Sequence, residues 1–287
     1  MNNLYQLKYD QKKWSEDIPS PVNTLQFFIT NKCNLRCKGC FYIHKLGNQE
    51  ISLGKYEEYI QEYKDKVKKI IILGGEPTFH KSLKNMIKIN RDFGLKTTIY
   101  TNGYNLDVFK GILFKDLDIR IGVYGSYSSE KPLITIKNTN IPVTIVYMLR
   151  RNNIHELMQT AELAEKKFNC SGFYISSIRD IALSGDYWKD TEDTIDMHDY
   201  YLIVQNFIDY YNGNIKKIHI ATRGVIFTDI NKPSISKCRF GNIFPDNEKI
   251  ICPLDISKYI LNKNLEFGTR ECNKNGCVLN KIVLKKL

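Results

Sequence analysis

Three cysteines near the start of the chain have a spacing suited to metal chemistry. Cys33, Cys37 and Cys40 form a C-x3-C-x2-C pattern. Three thiolates on one loop can hold three irons of a cubane cluster, which leaves the fourth iron without a protein ligand. A zinc site with three cysteines would need a nearby fourth ligand, for which His44 is the candidate. The pattern favours a [4Fe–4S] cluster with an open iron, with zinc or a closed cluster as the alternative.

A second motif, Gly74-Gly75-Glu76-Pro77, follows a predicted strand further along the chain. Glycine lets the backbone approach a neighbouring group closely. We expect that group to be a bound ligand, and Glu76 adds a negative charge beside it. The tetrapeptide alone could be a simple turn. Because the cysteine pattern also follows a predicted strand, we expect the two motifs to act together.

The elements that must position these motifs alternate between strand and helix. Short apolar or β-branched runs predict six strands, at Thr24–Thr30, Lys69–Leu73, Lys96–Thr101, Asp118–Tyr124, Val143–Met148 and Gly172–Ser177. Helices are predicted between them, at Leu53–Val67, Leu83–Phe93, Leu106–Ile112 and Asn153–Phe168, with an abbreviated helix in Ser128–Asn138. Such connections are right-handed crossovers between parallel strands, so the fold class is α/β, a partial (β/α)6 barrel. Its site would lie in the loops at the C-terminal ends of the strands, which makes the two motifs neighbours.

The alternation of strands and helices ends after Gly185, where we expect a small cysteine-rich α+β extension. An amphipathic helix is predicted over Met197–Tyr211, and a hairpin over Asn242–Cys252 turns at Asp246–Asn247. The expected organisation is an N-terminal segment at 1–23, a barrel at 24–184 and the extension at 185–287.

The extension carries four further cysteines, Cys238, Cys252, Cys272 and Cys277. The chain has no apolar signal-peptide core, so metal binding is favoured over a disulfide framework. Four thiolates could close one iron–sulfur cluster, and structural zinc or unligated core cysteines are the alternatives. The remaining cysteine, Cys170, is predicted to be a buried core thiol.

The run from Thr30 to Tyr42 resembles the signature of the radical S-adenosylmethionine (SAM) superfamily, and the second motif resembles that superfamily's GGEP motif. Gly39 stands where the signature often has an aromatic residue. The resemblance implies a [4Fe–4S] cluster on the three N-terminal cysteines, whose open iron binds the amino nitrogen and carboxylate of SAM. One electron then cleaves SAM to methionine and a 5′-deoxyadenosyl radical. That radical removes a hydrogen atom from an unreactive carbon, so the cluster and SAM, rather than protein side chains, would supply the reactive group.

Shorter, less specific resemblances to the same superfamily add candidates for SAM binding. Thr101-Asn102-Gly103 resembles the superfamily's turn near the SAM ribose, and Val123-Tyr124-Gly125-Ser126 resembles a stretch common in its peptide-modifying members. Arg179, after the sixth strand, is the candidate partner of the SAM carboxylate. A turn, a strand end and a surface arginine are the alternatives for Asn102, Ser126 and Arg179. The implied SAM-binding set is Gly74, Gly75, Glu76, Pro77, Asn102, Ser126 and Arg179.

The extension resembles the twitch or SPASM extensions that carry auxiliary clusters, mainly in enzymes that modify peptides or proteins. Asn247 stands where glycine is usual, and a full set of seven cysteines is absent. The resemblance implies a second [4Fe–4S] cluster on the four C-terminal cysteines and a ribosomally made peptide or protein as substrate. A small molecule, a nucleotide, RNA or a glycyl-radical partner is the enzymatic alternative. An Fe–S or zinc-binding interaction module is the non-enzymatic one.

Composition limits the remaining classes. Hydrophobic residues make up 43% and charged residues 25% of the chain, which is ordinary for a soluble globular protein. No apolar run is long enough to span a membrane, so we expect a cytoplasmic protein, with an electron donor such as flavodoxin or ferredoxin. The net charge is +11, but the basic runs Lys64–Lys69 and Lys281–Lys286 interleave no aromatic residues for base stacking. Charge alone therefore does not predict nucleic acid as a partner.

Overall fold

The computed structural model describes residues 24–37, 40, 42–126, 131–177, 193, 195, 197–221, 240–246, 249–250 and 281–285. Arg179, Asn247 and the four cysteines of the extension lie outside these residues. None of the helices described is long and apolar enough to cross a membrane.

One sheet contains every strand of the described residues. In chain order these are β1 (Thr24–Thr30), β2 (Lys69–Gly74), β3 (Lys96–Thr101), β4 (Leu117–Val123), β5 (Thr139–Leu149), β6 (Phe168–Ser177), β7 (Lys217–Ala221), β8 (Phe240–Ile243), β9 (Lys249–Ile250) and β10 (Lys281–Lys285). Their spatial order is β10-β7-β6-β5-β4-β3-β2-β1-β8-β9. Strands β1 to β7 pair in parallel with one another, and β10 pairs antiparallel with β7. The predicted α/β fold, a partial barrel of parallel strands, is confirmed, with β7 as a seventh parallel strand.

Helices connect the strands as expected, with shorter bounds. They are α1 (Leu53–Tyr63), α2 (Leu83–Asp92), α3 (Leu157–Lys167) and α4 (Met197–Tyr210). The Ser52 hydroxyl accepts a hydrogen bond from Lys55 N at 3.2 Å and so caps the N-terminus of α1. The helix predicted at Leu106–Ile112 is only a 3-10 turn at Leu106–Phe109.

Asn153 shows why the third helix begins later than predicted. Its side-chain amide donates to the carbonyls of Tyr124 and Met148, and its side-chain oxygen accepts from Arg150 N at 2.7 Å. The side chain therefore ties the ends of β4 and β5 together. The residues around it form a 3-10 turn at Arg151–Glu156, and the α-helix starts only at Leu157.

Strand β4 separates two chemically different faces of the sheet. Ile119, Ile121 and Val123 are buried in the core that the helices cover. Arg120 and Gly122 point to the opposite, inner face, because successive side chains of a strand alternate. Full burial of one such aliphatic side chain stabilises the fold by about 1.5–3 kcal/mol, so this alternation fixes which face carries the polar groups.

The inner face carries a buried polar cluster in the middle of the sheet. Arg120 is 5% exposed and donates to Asp118 Oδ2 and to the Tyr100 hydroxyl, both at 2.7 Å. The Thr144 hydroxyl donates to Asp118 Oδ1 at 3.0 Å. Burial opposes the charged form of Asp118, but the Arg120 charge and these hydrogen bonds outweigh it and lower the pKa of that carboxyl. Closed barrels of this class are filled by branched aliphatic residues, whereas this polar face suits a lumen that accepts a ligand.

An aromatic stack of Phe28, Tyr42 and Phe244 joins the extension to the segment that carries the cysteines. The Phe28 ring centroid lies 4.9 Å from that of Tyr42 and 4.4 Å from that of Phe244, with nearly parallel planes. Phe244 follows β8, which pairs in parallel with β1 and antiparallel with β9. The predicted hairpin is therefore confirmed in its described part, and it packs directly on the cysteine segment.

Candidate functional site

The three N-terminal cysteines lie on the loop that follows β1, at the C-terminal end of the strand. All three thiols are half-buried. The Leu35 N–H donates to Cys33 Sγ at 3.4 Å. Burial raises the pKa of the Cys33 thiol; the Leu35 hydrogen bond and the charge of Lys131 oppose that shift without cancelling it, and Glu76 adds to it.

This donor set fits an iron–sulfur cluster. Three soft thiol ligands share one short loop at the open end of the sheet, and an N–H···S hydrogen bond of the kind that tunes cluster thiolates is already made. Among the described residues, no three His, Cys, Asp or Glu side chains form a closed metal-holding group. The side chain of His44, the alternative zinc ligand, lies outside the described ones.

Gly74 and Gly75 lie directly against the base of the cysteine loop. A Cβ built on Gly74 would lie 2.4 Å from Thr30 O, and one built on Gly75 would lie 2.2 Å from Lys32 O. Gly75 N donates to Thr30 O at 2.7 Å, and Glu76 N donates to Lys32 O at 2.7 Å. The sequence predicts that these glycines make room for a ligand. The close approach that the described residues require is between the two motifs themselves.

Glu76 is a buried carboxylate, 2% exposed, that links the ends of β2 and β3. Its Oε1 accepts hydrogen bonds from Thr78 N at 3.1 Å, from the Thr78 hydroxyl at 2.7 Å and from the Thr101 hydroxyl at 2.6 Å. Its Oε2 accepts one from Asn102 N at 2.6 Å. A buried charge is tolerated only when it is compensated in this way. Pro77, also buried, begins the 3-10 turn that carries Thr78.

Asn102 completes the connection back to the cysteine loop. Its side-chain amide donates to Asn34 Oδ1 at 2.7 Å, although the two residues are 68 positions apart. Its side-chain oxygen accepts from Tyr104 N at 3.1 Å, which fixes the side chain in a turn. Asn34 lies between Cys33 and Cys37, so three strand ends interlock around the thiols. The structure thus brings the cysteines, the GGEP motif and Asn102 together.

The variant Glu76→Gln tests this interlock. The amide NH2 cannot accept the hydrogen bonds that a carboxylate oxygen accepts from Asn102 N or Thr101, which leaves a buried donor unpaired. We expect the free energy of unfolding to fall by about 1–3 kcal/mol, measured by urea denaturation of the full chain. The matched control Glu58→Gln, on the exposed surface of α1, should change it by less than about 0.5 kcal/mol. Equal midpoints for the two variants would contradict the assignment.

Ser126 is placed differently from the other candidates. It is fully buried, its N–H donates to Glu156 Oε2 at 2.7 Å, and its hydroxyl is paired with the Thr160 hydroxyl at 2.7 Å. The side chain therefore faces α3. These two hydrogen bonds tie Ser126 to α3 and the turn before it, whereas Glu76 and Asn102 are bonded to each other and to the cysteine loop.

Sequence reasoning missed two residues of this site. Asn34 is part of the cysteine pattern, but only a structure pairs it with Asn102. Lys131 lies close enough to Cys33 to affect its pKa, yet a lysine in a polar loop looks like solvated surface. The sequence carries no signal for it beyond its place after the fourth strand.

Comparisons with known proteins identify the family of this chain. The family model described as Radical SAM superfamily matches residues 27–198. A PqqA peptide cyclase of Granulibacter bethesdensis is 28% identical over 160 residues, which cover 48% of this chain and 42% of that protein. An S-adenosylmethionine-dependent nucleotide dehydratase of Selenomonas ruminantium is 28% identical over 138 residues, 47% of this chain and 46% of that protein. The matched region thus spans less than half the length of these curated relatives.

A solved structure shares the fold. Streptococcus suis SuiB bound to its precursor peptide SuiA superposes with a TM-score of 0.66 at 15% sequence identity. The match covers 89% of this chain and 64% of SuiB. At this identity the likeness is one of fold.

Proposed function

Because the chain belongs to the radical SAM superfamily, we propose that it is an enzyme that removes a hydrogen atom from a side chain of a ribosomally made peptide or protein. Cys33, Cys37 and Cys40 hold a [4Fe–4S] cluster in this proposal. When bound, the cluster and SAM supply the electron and the 5′-deoxyadenosyl radical for that step. The protein then has to bind, orient and shield the reacting groups.

The observation that carries the proposal is the interlock of three motif segments. Gly75 N and Glu76 N hold the base of the cysteine loop, and Asn102 holds its middle through Asn34. Glu76 fixes Asn102 in turn. Such an arrangement positions the loop before any ligand arrives, which lowers the cost of ordering it on binding.

Other described residues shield the site. The aromatic stack packs under the loop together with Ile71 and Leu73, so water is excluded from the side of the loop that faces the sheet. A site of low dielectric strengthens the electrostatic interactions within it. The polar inner face around Arg120 and Asp118 then lines the space where a substrate would lie.

A peptide substrate is supported by two similarities and by the extension. One relative is named a peptide cyclase, and the structure with the shared fold holds a precursor peptide. The hairpin β8–β9 is flanked in sequence by Cys238 and Cys252. We assign these two, with Cys272 and Cys277, to a second [4Fe–4S] cluster, with structural zinc as the alternative. Flavodoxin or ferredoxin is the electron donor in this proposal.

A nucleotide substrate is the second candidate, because another relative is named a nucleotide dehydratase. The two candidates are distinguished by the product. Co-expression with short peptides encoded beside the gene would give a modified peptide, detected by mass spectrometry. Incubation with nucleoside triphosphates would give a new nucleotide instead.

The first test uses the anaerobically reconstituted full chain. Iron and sulfide are counted, and dithionite-dependent conversion of SAM to 5′-deoxyadenosine is measured. About eight irons per chain with turnover would support both clusters, since each holds four. About four irons with turnover would keep the enzyme and remove the second cluster. Bound zinc without 5′-deoxyadenosine would refute the proposal.

A further inference from the structure

Lys131 has a strained backbone that no local feature of its sequence explains. Its φ is 57°, and Asp116 is the one other residue besides glycine with positive φ in the described part of the chain. Aspartate tolerates this left-handed conformation, whereas lysine gains nothing from it. Lys131 also precedes Pro132, which restricts its backbone further. A strained residue of this kind is unfavourable and persists where the surrounding structure requires it.

Backbone hydrogen bonds hold this segment against the end of β4. Leu133 N donates to Gly125 O at 2.8 Å, and Ile134 N donates to Ser126 O at 3.1 Å. Tyr124 N donates to Lys131 O at 3.4 Å. The segment is thus fixed on both sides of Pro132, and the point from which the Lys131 side chain leaves the backbone is fixed with it.

The ammonium of Lys131 lies on the inner face of the sheet. A Cβ built on Gly122 would lie 3.2 Å from Lys131 Nζ, so the missing side chain of Gly122 leaves the room that the ammonium uses. Ile121 on β4 pairs in register with Thr101 on β3. Gly122 and Asn102 are the residues that follow them. The ammonium therefore lies at the same height along the sheet as Asn102, whose side chain hydrogen-bonds Asn34 of the cysteine loop.

This ammonium shares an aromatic neighbour, the Tyr124 ring, with a second cation. Lys131 Nζ lies 5.3 Å from the Tyr124 ring centroid, and the Arg150 guanidinium lies 4.0 Å from the same centroid. The ion pairs among the described residues give Lys131 no carboxylate partner. An ammonium held in a partly buried site is stabilised by an anion that a ligand brings.

We propose that Lys131 binds the carboxylate of an acidic residue in the peptide substrate and so selects which side chain enters the site. This inference rests on the proposed function. A single ammonium matches the single charge of a carboxylate, whereas a phosphate group carries more charge and is usually held by several donors. The family resemblance implies the open iron and Arg179 as partners of the SAM carboxylate, and the SAM arm of the test below separates that role from peptide binding.

The test compares Lys131→Met with Lys137→Met in the anaerobically reconstituted full chain without dithionite. Methionine keeps the length of the side chain and removes its charge, and Lys137 is a matched control on the surface, 72% exposed. The probes are two dansylated, C-terminally amidated pentapeptides, Ala-Ala-Glu-Ala-Ala and Ala-Ala-Gln-Ala-Ala, titrated by fluorescence anisotropy. Wild type and Lys137→Met should prefer the glutamate peptide by about tenfold, and Lys131→Met should bind both equally.

Three results would overturn the inference. The first is that the wild type binds the two peptides with equal affinity. The second is that Lys131→Met still prefers the glutamate peptide. The third is that AMP binds more tightly than adenosine and that this difference is lost in Lys131→Met alone. Equilibrium dialysis with SAM adds a fourth arm, because a loss of SAM affinity with unchanged peptide preference would assign Lys131 to SAM instead. The binding assays need no turnover. Failure of the proposed function appears separately, as absent 5′-deoxyadenosine in wild type.

Discussion

Changing Cys33, Cys37 and Cys40 together to alanine should remove about four irons per reconstituted chain and abolish dithionite-dependent formation of 5′-deoxyadenosine. The reason is that the thiolates of this one loop are the ligands proposed for the cluster. Iron and sulfide analysis and chromatography of the SAM products measure the two effects. The fold should survive, because the thiols are only half-buried and the loop is held by backbone hydrogen bonds at its base.

Cys170→Ala is the matched control for that experiment. Cys170 lies on β6, packs beside the core and donates to Gly172 O at 3.2 Å. Burial raises the pKa of this thiol to about 11, and its strand is separated by four others from β1, which leads into the cysteine loop. Its replacement should leave iron content and turnover unchanged. Equal iron loss in both variants would mean that the cysteine loop is not the ligand set.

Gly75→Ala should have the next largest effect. The added Cβ would lie 2.2 Å from Lys32 O and 2.6 Å from Lys32 C, and these are backbone atoms that cannot rotate away. The base of the cysteine loop must therefore move, or the turn after β2 must open. We expect the free energy of unfolding to fall by about 1–3 kcal/mol, measured by urea denaturation, together with a loss of reconstituted iron.

Gly54→Ala serves as its control. Gly54 lies in the first turn of α1, and no atom lies within 4 Å of the Cβ that alanine would add. Alanine in a helix is more favourable than glycine by roughly 0.5–1 kcal/mol, so this variant should be as stable as wild type or slightly more stable. If Gly75→Ala behaved in the same way, the close contact between the two motifs would not exist in solution.

The strands of this fold could be predicted because their chemistry is local. Ile119 and Ile121 alternate with Arg120 and Gly122, which indicates a strand with two different faces. The helices were less predictable. Asparagine is a residue type that commonly caps helices. The Asn153 side chain instead donates hydrogen bonds to carbonyls at the ends of two strands. No local sequence pattern indicates that these bonds replace the helix cap.

The motifs of the site could be predicted from the sequence, but the hydrogen bonds between them could not. The cysteine spacing and the GGEP motif each follow a strand, so their proximity follows from the parallel sheet. The Asn34–Asn102 hydrogen bond joins residues 68 positions apart, and the Ser126 hydroxyl is occupied by Thr160 on a helix. Such pairings depend on side-chain orientation in three dimensions. The position of Lys131 could not be predicted from the sequence, because its ammonium occupies the space that the missing side chain of Gly122 leaves.

The parallel pairing of β8 with β1 has a practical consequence for work on this protein. Thr24 to Phe27 take part in that pairing, opposite Phe240 to Ile243. A chain truncated before the extension would leave β1 as an edge strand with unpaired backbone groups, and the Phe28 ring would lose its partner Phe244. Exposed apolar edge strands template aggregation. Insolubility of a truncated chain would therefore say nothing about a second cluster, and single cysteine replacements in the extension are the sound way to examine it.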